Sequence, residues 1–400
     1  MKRLLILGLC GGLLGLALAQ EQPTRTWYRG NTHTHTLWSD GDAAPEWAVK
    51  EFVDRDYDFL VLSDHNILSR GEKWFPIGEG RLTPARVDEL VKEFGADEVE
   101  LREGLEPAMR LKTLEELRAR FCADGDFLLI EGEEVTDSWQ GKEIHINALN
   151  IDALVPPQGG DSVADTIRRN MEAIQAEGRR SGREVLAHLN HPNFVWSLTV
   201  EDVAAMPHER FFEVYNGHHA VRNYGDAEHP GMEELWDRAL VLRLEELDLG
   251  LLYGVATDDS HNYFRWGERT SNPGRGWVVV RAEDLEADAI VRAMKAGDFY
   301  ASTGVELRDF RSDGTSMTVE IAPSPGETYT TQFFGSLRER ENGEVGVLLA
   351  ETAENPARYE FSGAELYVRA RVVSTADHPN PYAAGDKETA WVQPVLVPEK

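Results

Sequence analysis

Gly30-Asn31-Thr32-His33-Thr34-His35-Thr36-Leu37-Trp38-Ser39-Asp40-Gly41 takes over from the strand-like run Trp27–Thr32 and sets the reading of the rest. Side chains alternate along an extended backbone, so His33 and His35 point to one side and can reach one ion. After a short turn closed by Gly41, Asp40 can bring a carboxylate to the same place, although Ser-Asp-Gly is also an ordinary turn sequence. Imidazole nitrogens beside a carboxylate suit Zn, Mn or Fe better than Ca or Mg.

Outward from this stretch, apolar runs alternate with helical patterns. The runs Phe59–Leu62, Phe127–Ile130, Ile144–Ile151, Glu184–Ala187, Phe211–Tyr215, Leu251–Ala256 and Trp277–Val280 read as buried strands. Pro45 opens a helix over Glu46–Arg55, and Ser162-x-x-Asp165 caps another. Met232, Leu235, Trp236, Ala239 and Leu240 make one apolar stripe. The alternation predicts a parallel α/β fold over 26–304, with a closed TIM-like barrel as its leading form. Residues 66–126 break the rhythm: they are charged, offer helical patterns at Pro84–Phe94 and Thr113–Phe121, and read as a helical insertion, either a lid or a solvated excursion. Beyond Thr303-Gly304 the pattern alternates, as in Leu366, Val368, Ala370 and Val372, which predicts a small antiparallel β domain over 305–400.

Residues 1–19 read as a cleavable signal peptide: Lys2-Arg3, an apolar run from Leu4 to Leu18, and Ala17-Leu18-Ala19 before Gln20. This implies a secreted, periplasmic protein with no membrane span. Cleavage removes Cys10, leaving Cys122 without an internal disulfide partner. The net charge of −29 disfavours nucleic acid or an anionic membrane as partner, and an anionic small-molecule substrate needs local cations to enter.

The remaining ligand candidates fall at the ends of the predicted strands. Asp64-His65 follows Phe59–Leu62, and Glu131, Glu133 and Glu134 follow Phe127–Ile130. His145 lies in Glu143-Ile144-His145-Ile146-Asn147. His188 and His191 follow Val185–Ala187, and Asp258, Asp259 and His261 follow Leu251–Ala256. In a barrel the strand ends converge on one face. Of the chain's 12 histidines, six occupy such positions, while His208, His218, His219, His229 and His378 read as surface or loop residues, with substrate contact as the alternative for His218-His219, which follow the strand-end segment Glu213-Val214-Tyr215-Asn216-Gly217.

The set His33-x-His35, Ser39-Asp40-Gly41, Asp64-His65, Glu134, His145, His191-Pro192 and Asp259-x-His261 resembles the polymerase-and-histidinol-phosphatase (PHP) superfamily of metal-dependent phosphoesterases. Phe299-Tyr300-Ala301-Ser302-Thr303-Gly304 and the leader are more similar to its carbaryl hydrolase-like (CehA/McbA-like) branch. The resemblance implies a distorted seven-stranded β/α barrel and two or three divalent transition-metal ions (Zn, Mn or Fe). Their ligands would be His33, His35, Asp40, His65, Glu134, His145, His191, Asp259 and His261, with Glu134 selected by Gly-x-Glu and His191 by His-Pro. It implies a phosphoesterase in which metal-bound water attacks a small anionic phosphoester, with Asp64 orienting the cluster. Arg70 and Arg275, and also Lys142 and Arg265, lie near motif segments and are candidate phosphate contacts. A non-phosphate ester, carbamate or amide hydrolase on the same site is the first alternative. A non-catalytic, metal-bearing extracellular binding protein is the second.

Overall fold

The computed structural model describes residues 25–207, 209–340 and 343–399; the expected signal peptide and His208 lie outside the described residues. The chain forms a mixed α/β fold around one large sheet. Its strands lie in the order Tyr253–Thr257, Phe211–Asn216, Leu186–Leu189, Lys142–Leu149, Leu128–Trp139, Phe59–Leu62, Thr26–Asn31, Trp277–Ala282, Phe299–Ser302, Lys387–Leu396, Glu365–Asp377, Tyr329–Leu337 and Val347–Thr352. Helices such as Val163–Ser181 and Met232–Leu242 bury their apolar stripes against it, Ile167, Met171 and Ile174 from the first, Leu235, Trp236 and Ala239 from the second.

Two expectations are corrected. First, the sheet is mixed rather than parallel. Leu128–Trp139 and Lys142–Leu149 are an antiparallel hairpin, and Leu186–Leu189 runs antiparallel to the second of them. The turn is Gln140-Gly141, with φ of 48° and 79°, the pair of positive values that a two-residue hairpin turn requires. Second, among the described residues the ladder does not close on itself. The tips of Thr26–Asn31 and Tyr253–Thr257 meet beyond the strands, through a bridge between Thr34 and Ser260. There Asp259 N–H donates to His33 O at 3.1 Å and His35 N–H to Ser260 O at 3.1 Å.

Segment 66–126 holds the helices Pro84–Phe94 and Leu114–Phe121 and also a three-stranded sheet, Trp74–Pro76, Ala108–Arg110 and Leu101–Arg102. Strands of two and three residues leave no readable periodicity. The segment packs on the loop that follows His35, burying Leu37, Trp38 and Ala44 against Leu82, Val87, Leu90 and Met109. Arg81 donates to the carbonyls of Ser39 at 2.7 Å and Gly41 at 3.1 Å, and Trp38 Nε1 donates to Lys112 O at 2.9 Å. It therefore buttresses the loop that carries Asp40.

After 304 the strands are antiparallel: Lys387–Leu396, Glu365–Asp377, Tyr329–Leu337 and Val347–Thr352 continue the main sheet, with Ala301 opposite Trp391, and Leu307–Ser312, Ser316–Ile321 and Ala357–Glu360 form a separate small sheet. Gln393 exchanges two hydrogen bonds with the Gly254 backbone, at 2.8 and 2.9 Å, and Trp391 stacks on Tyr215. No helix among the described residues is long and apolar enough to cross a membrane.

Two buried carboxyls away from the sheet tips give a stability prediction. Burial pushes Glu46 up to about 7 and Glu209 up to about 8, from 4.5. The folded chain then holds protons that the unfolded chain releases. This contribution is fully present below about 4.5 and is lost as pH rises through the folded value. Glu46→Gln is expected to flatten the decline between about 4.5 and 7, raising the denaturation midpoint at pH 8 relative to wild type more than at pH 5. Parallel midpoint-against-pH curves for the two proteins would contradict it.

Candidate metal centre

All nine predicted ligands meet at one end of the sheet. Four groups, each with ligand atoms within 4.8 Å of one another, account for the whole set. They are His35, Asp40, His65 and His261; His33, His191 and Asp259; His33, His35 and Glu134; and His65, Glu134 and His145. Strand alternation delivers the first pair: His33 and His35 follow Thr26–Asn31 and turn the same way, with their Nε2 atoms 3.0 Å apart. The antiparallel hairpin delivers the second, since Thr136 lies opposite His145 and Glu134 opposite Asn147, on one face.

The competing candidates separate cleanly. Glu131 turns away to Arg70, and Glu133 accepts from Val155 N at 2.5 Å. Asp258 accepts the backbone N–H groups of Gly274, Arg275 and Gly276 at 2.9, 2.6 and 2.9 Å. His188 lies behind His33, with ring centroids 6.4 Å apart. His191 and Asp259, in contrast, have positive φ, 27° and 48°. Such backbone costs about 1–3 kcal/mol per residue and persists where the surroundings over-determine it, as at a functional site.

Several ring nitrogens have their roles fixed by a partner. His33 Nδ1 lies 2.7 Å from Glu213 Oε1, and a carboxylate only accepts, so the Nδ1 proton is shared there and Nε2 faces the cluster. His261 Nδ1 donates to Asp259 O at 2.8 Å, which likewise frees its Nε2. His65 Nδ1 lies 2.6 Å from Thr136 Oγ1. Asn190 Nδ2 donates to Glu134 Oε1 at 2.8 Å, and Asn216 Nδ2 to Asp259 Oδ2 at 3.2 Å. Asp64 accepts from Thr36 N, Thr36 Oγ1, Ser39 N and Ser39 Oγ at 2.6–3.0 Å, so it braces the turn between His35 and Asp40.

Arg70 and Arg275 do not join the cluster. Arg70 pairs with Glu131. Arg275 is fully buried and donates to the carbonyls of Gly217 and Gly267, each at 2.8 Å, and of Thr270. Lys142 donates to Trp196 O.

Glu213, Asn190, Asn216 and Thr136 escaped the sequence reading. Glu213 had a signal: a lone carboxylate inside Phe211–Tyr215 must find partners where the strand is buried. Besides His33, it takes His191 N–H and Thr257 Oγ1–H, both at 2.7 Å.

The donor set fits divalent ions. Glu134 Oε2 and His145 Nε2 are buried without a hydrogen bond, although His65 Nδ1 is only 2.7 Å from the former, out of line with it. The charges are frustrated without a cation. Burial pulls His35 down to about 4, reinforced by His261 and His65. Burial also opposes charge on His65, but Glu134 and Asp40 outweigh it and hold it near 11. Burial would raise Glu134, and His65, His145 and His33 instead hold it well below the carboxylate range. Protons here stand where cations would, so metal uptake competes with protonation.

Asp64→Asn is expected to loosen the turn without removing a ligand, lowering metal affinity or turnover about 10–100-fold. Metal titration of the variant checks this, and an unchanged affinity with unchanged turnover would contradict it.

No family model matches the chain, and no curated protein does. Among solved structures, it is similar to a two-domain protein from Bacteroides vulgatus containing a predicted PHP-like metal-dependent phosphoesterase. That match has 16% identity and a TM-score of 0.43 and covers 93% of this chain and 95% of the other. A candidate metal-dependent phosphoesterase from Bifidobacterium adolescentis matches at 13% identity and TM-score 0.32, covering 66% and 94%. An amidohydrolase from Chromobacterium violaceum, with bound sulfate and no metal, matches at 13% identity and TM-score 0.28, covering 61% and 90%.

Proposed function

We propose that the chain is a metal-dependent hydrolase of the PHP type, exported by its leader, that cleaves a small phosphoester at a di- or trinuclear centre. The observation that carries this reading is the convergence of six imidazoles and three carboxylates at one end of the sheet, with the His33 and His261 rings turned to present Nε2. In this reading the seven strands from Thr26–Asn31 to Tyr253–Thr257 act as a distorted barrel, joined at its ligand-bearing end by the bridge between Thr34 and Ser260. Divalent Zn, Mn or Fe ions bound there supply Lewis acidity and a water of lowered pKa.

The chain's own residues set the geometry. His33 and His35 come from one strand tip, Glu134 and His145 from a rigid hairpin, and Asp259 and His261 from the tip bonded back to His33. Glu213 fixes the His33 ring and the His191 backbone together. Asp40 projects from the buttressed loop with its side chain half-exposed, at the open side of the pocket.

A second reading, hydrolysis of a non-phosphate ester, carbamate or amide, is favoured by one observation. Arg70 and Arg275, the arginines expected to meet a phosphate, are occupied by protein acceptors. A screen with Mn or Zn against aryl phosphates, phosphodiesters and carboxyl esters decides between them. Hydrolysis of phosphoesters alone supports the first reading. Turnover of carboxyl esters alone supports the second, and no turnover of any substrate contradicts both.

A further inference from the structure

His218 stands beside the cluster but outside it, on the loop after Phe211–Asn216. Its ring centroid lies 5.2 Å from that of His261 and 6.0 Å from that of Phe194, and Phe194 in turn packs on His191 at 5.2 Å. The imidazole therefore packs directly on one proposed ligand, His261, and through Phe194 on a second, His191.

The loop holds it firmly. His218 N–H donates to Asn216 Oδ1 at 2.7 Å, and Val221 N–H to His218 O at 3.0 Å. The preceding carbonyl, of Gly217, accepts from the buried Arg275 at 2.8 Å. A Cβ on Gly217 would come within 2.8 Å of Asp258 O and 2.9 Å of Arg275 Cβ, so the backbone is seated without slack. Arg275 thus positions the loop rather than meeting substrate.

The two neighbouring imidazoles carry opposite tautomers. His261 Nδ1 donates to a carbonyl, leaving a lone pair on Nε2 for a metal. His218 Nδ1 instead accepts, from Ala220 N–H at 3.2 Å, so a neutral His218 carries its proton on Nε2. That nitrogen is a donor and not a ligand, and it has no hydrogen-bond partner among the described residues.

We propose that His218 Nε2–H is a substrate-binding donor, hydrogen-bonded to a non-bridging oxygen of the phosphoryl group that the centre cleaves. This rests on the phosphoester reading above. A fixed donor aimed at an oxygen that gains charge stabilises the transition state without reorganisation, and removing one such donor typically lowers kcat about 10²–10³-fold.

The test uses the full metal-loaded chain with inorganic phosphate as the binding probe and an aryl phosphate as substrate. The amide nitrogen of Gln matches the position of Nε2, whereas that of Asn reaches only Nδ1. His218→Asn is expected to keep its metals, bind phosphate at least tenfold more weakly and lose about 100-fold in kcat. His218→Gln is expected to retain metals, phosphate binding and most activity. Equal behaviour of the two variants, or loss of metal in either, overturns the proposal. A wild type that neither binds phosphate nor hydrolyses any phosphoester overturns the functional reading and this one with it. An active wild type with an unimpaired His218→Asn overturns only the role of His218.

Discussion

Glu134→Gln is expected to remove metal and hydrolytic activity together. The Glu134 carboxylate lies 3.3 Å from His33 Nε2, 3.4 Å from His35 Nε2, 2.7 Å from His65 Nδ1, 3.0 Å from His145 Nδ1 and 3.4 Å from His191 Nε2. Five of the six imidazoles proposed as ligands therefore face this one group. Gln is isosteric but neutral and replaces one acceptor oxygen by a donor NH2, so it would offer bound cations one oxygen fewer and no balancing charge. Changes in the groups that merely orient ligands reduce metal affinity about 10–100-fold, and loss of the central carboxylate is expected to exceed that range. Elemental analysis of purified variant beside wild type, with rates on the same samples, checks the prediction. A variant that keeps its metals would show that the cluster is organised around another residue.

The second large effect is on stability. Asp237→Ala is expected to destabilise the fold by about 3–5 kcal/mol, because it removes the nearer of two counter-charges from a buried guanidinium and leaves only the longer contact with Glu233. Asp237, on the helix Met232–Leu242, takes hydrogen bonds from Arg369 Nε at 2.8 Å, Arg369 Nη2 at 2.6 Å and Tyr367 Oη at 2.7 Å. Both partners are on Glu365–Asp377, so the helix is tied to the C-terminal strands across the molecule. Glu233 adds bonds to Arg369 at 3.2 Å and Arg371 at 2.8 Å. Replacing the pair together, Asp237→Leu with Arg369→Met, is expected to recover much of the loss, since no charge is then left buried alone. Denaturant unfolding of the single and double variants measures both. A single-variant change under about 1 kcal/mol would mean that water reaches Arg369 and screens it.

The clustering of these nine side chains was legible because the patterns that announce it are local. A His-x-His on an extended strand, Asp-His after an apolar run and Asp-x-His after another each announce a shared direction without any knowledge of distant contacts. What was not legible depends on tertiary partners. The Gln140-Gly141 turn reverses the chain between Glu134 and His145, and the sequence shows two apolar runs without their relative direction. Glu213 announces only that a buried strand carries a carboxylate in need of partners; that one of them is an imidazole 180 positions away in sequence is a tertiary fact. Arg70 and Arg275 lie near the motifs in sequence, yet their guanidiniums point to acceptors elsewhere. The strands after 304 show the expected alternation, while their continuity with Phe299–Ser302 is a matter of pairing, which alternation does not specify.

Metal content of the purified full-length chain, measured by elemental analysis before and after reconstitution with Zn, Mn and Fe, tests the central claim most directly. The arrangement of His33, His35, Asp40, His65, Glu134, His145, His191, Asp259 and His261 predicts two or three divalent ions per chain. A chain that remains folded and binds no ion after reconstitution would contradict it.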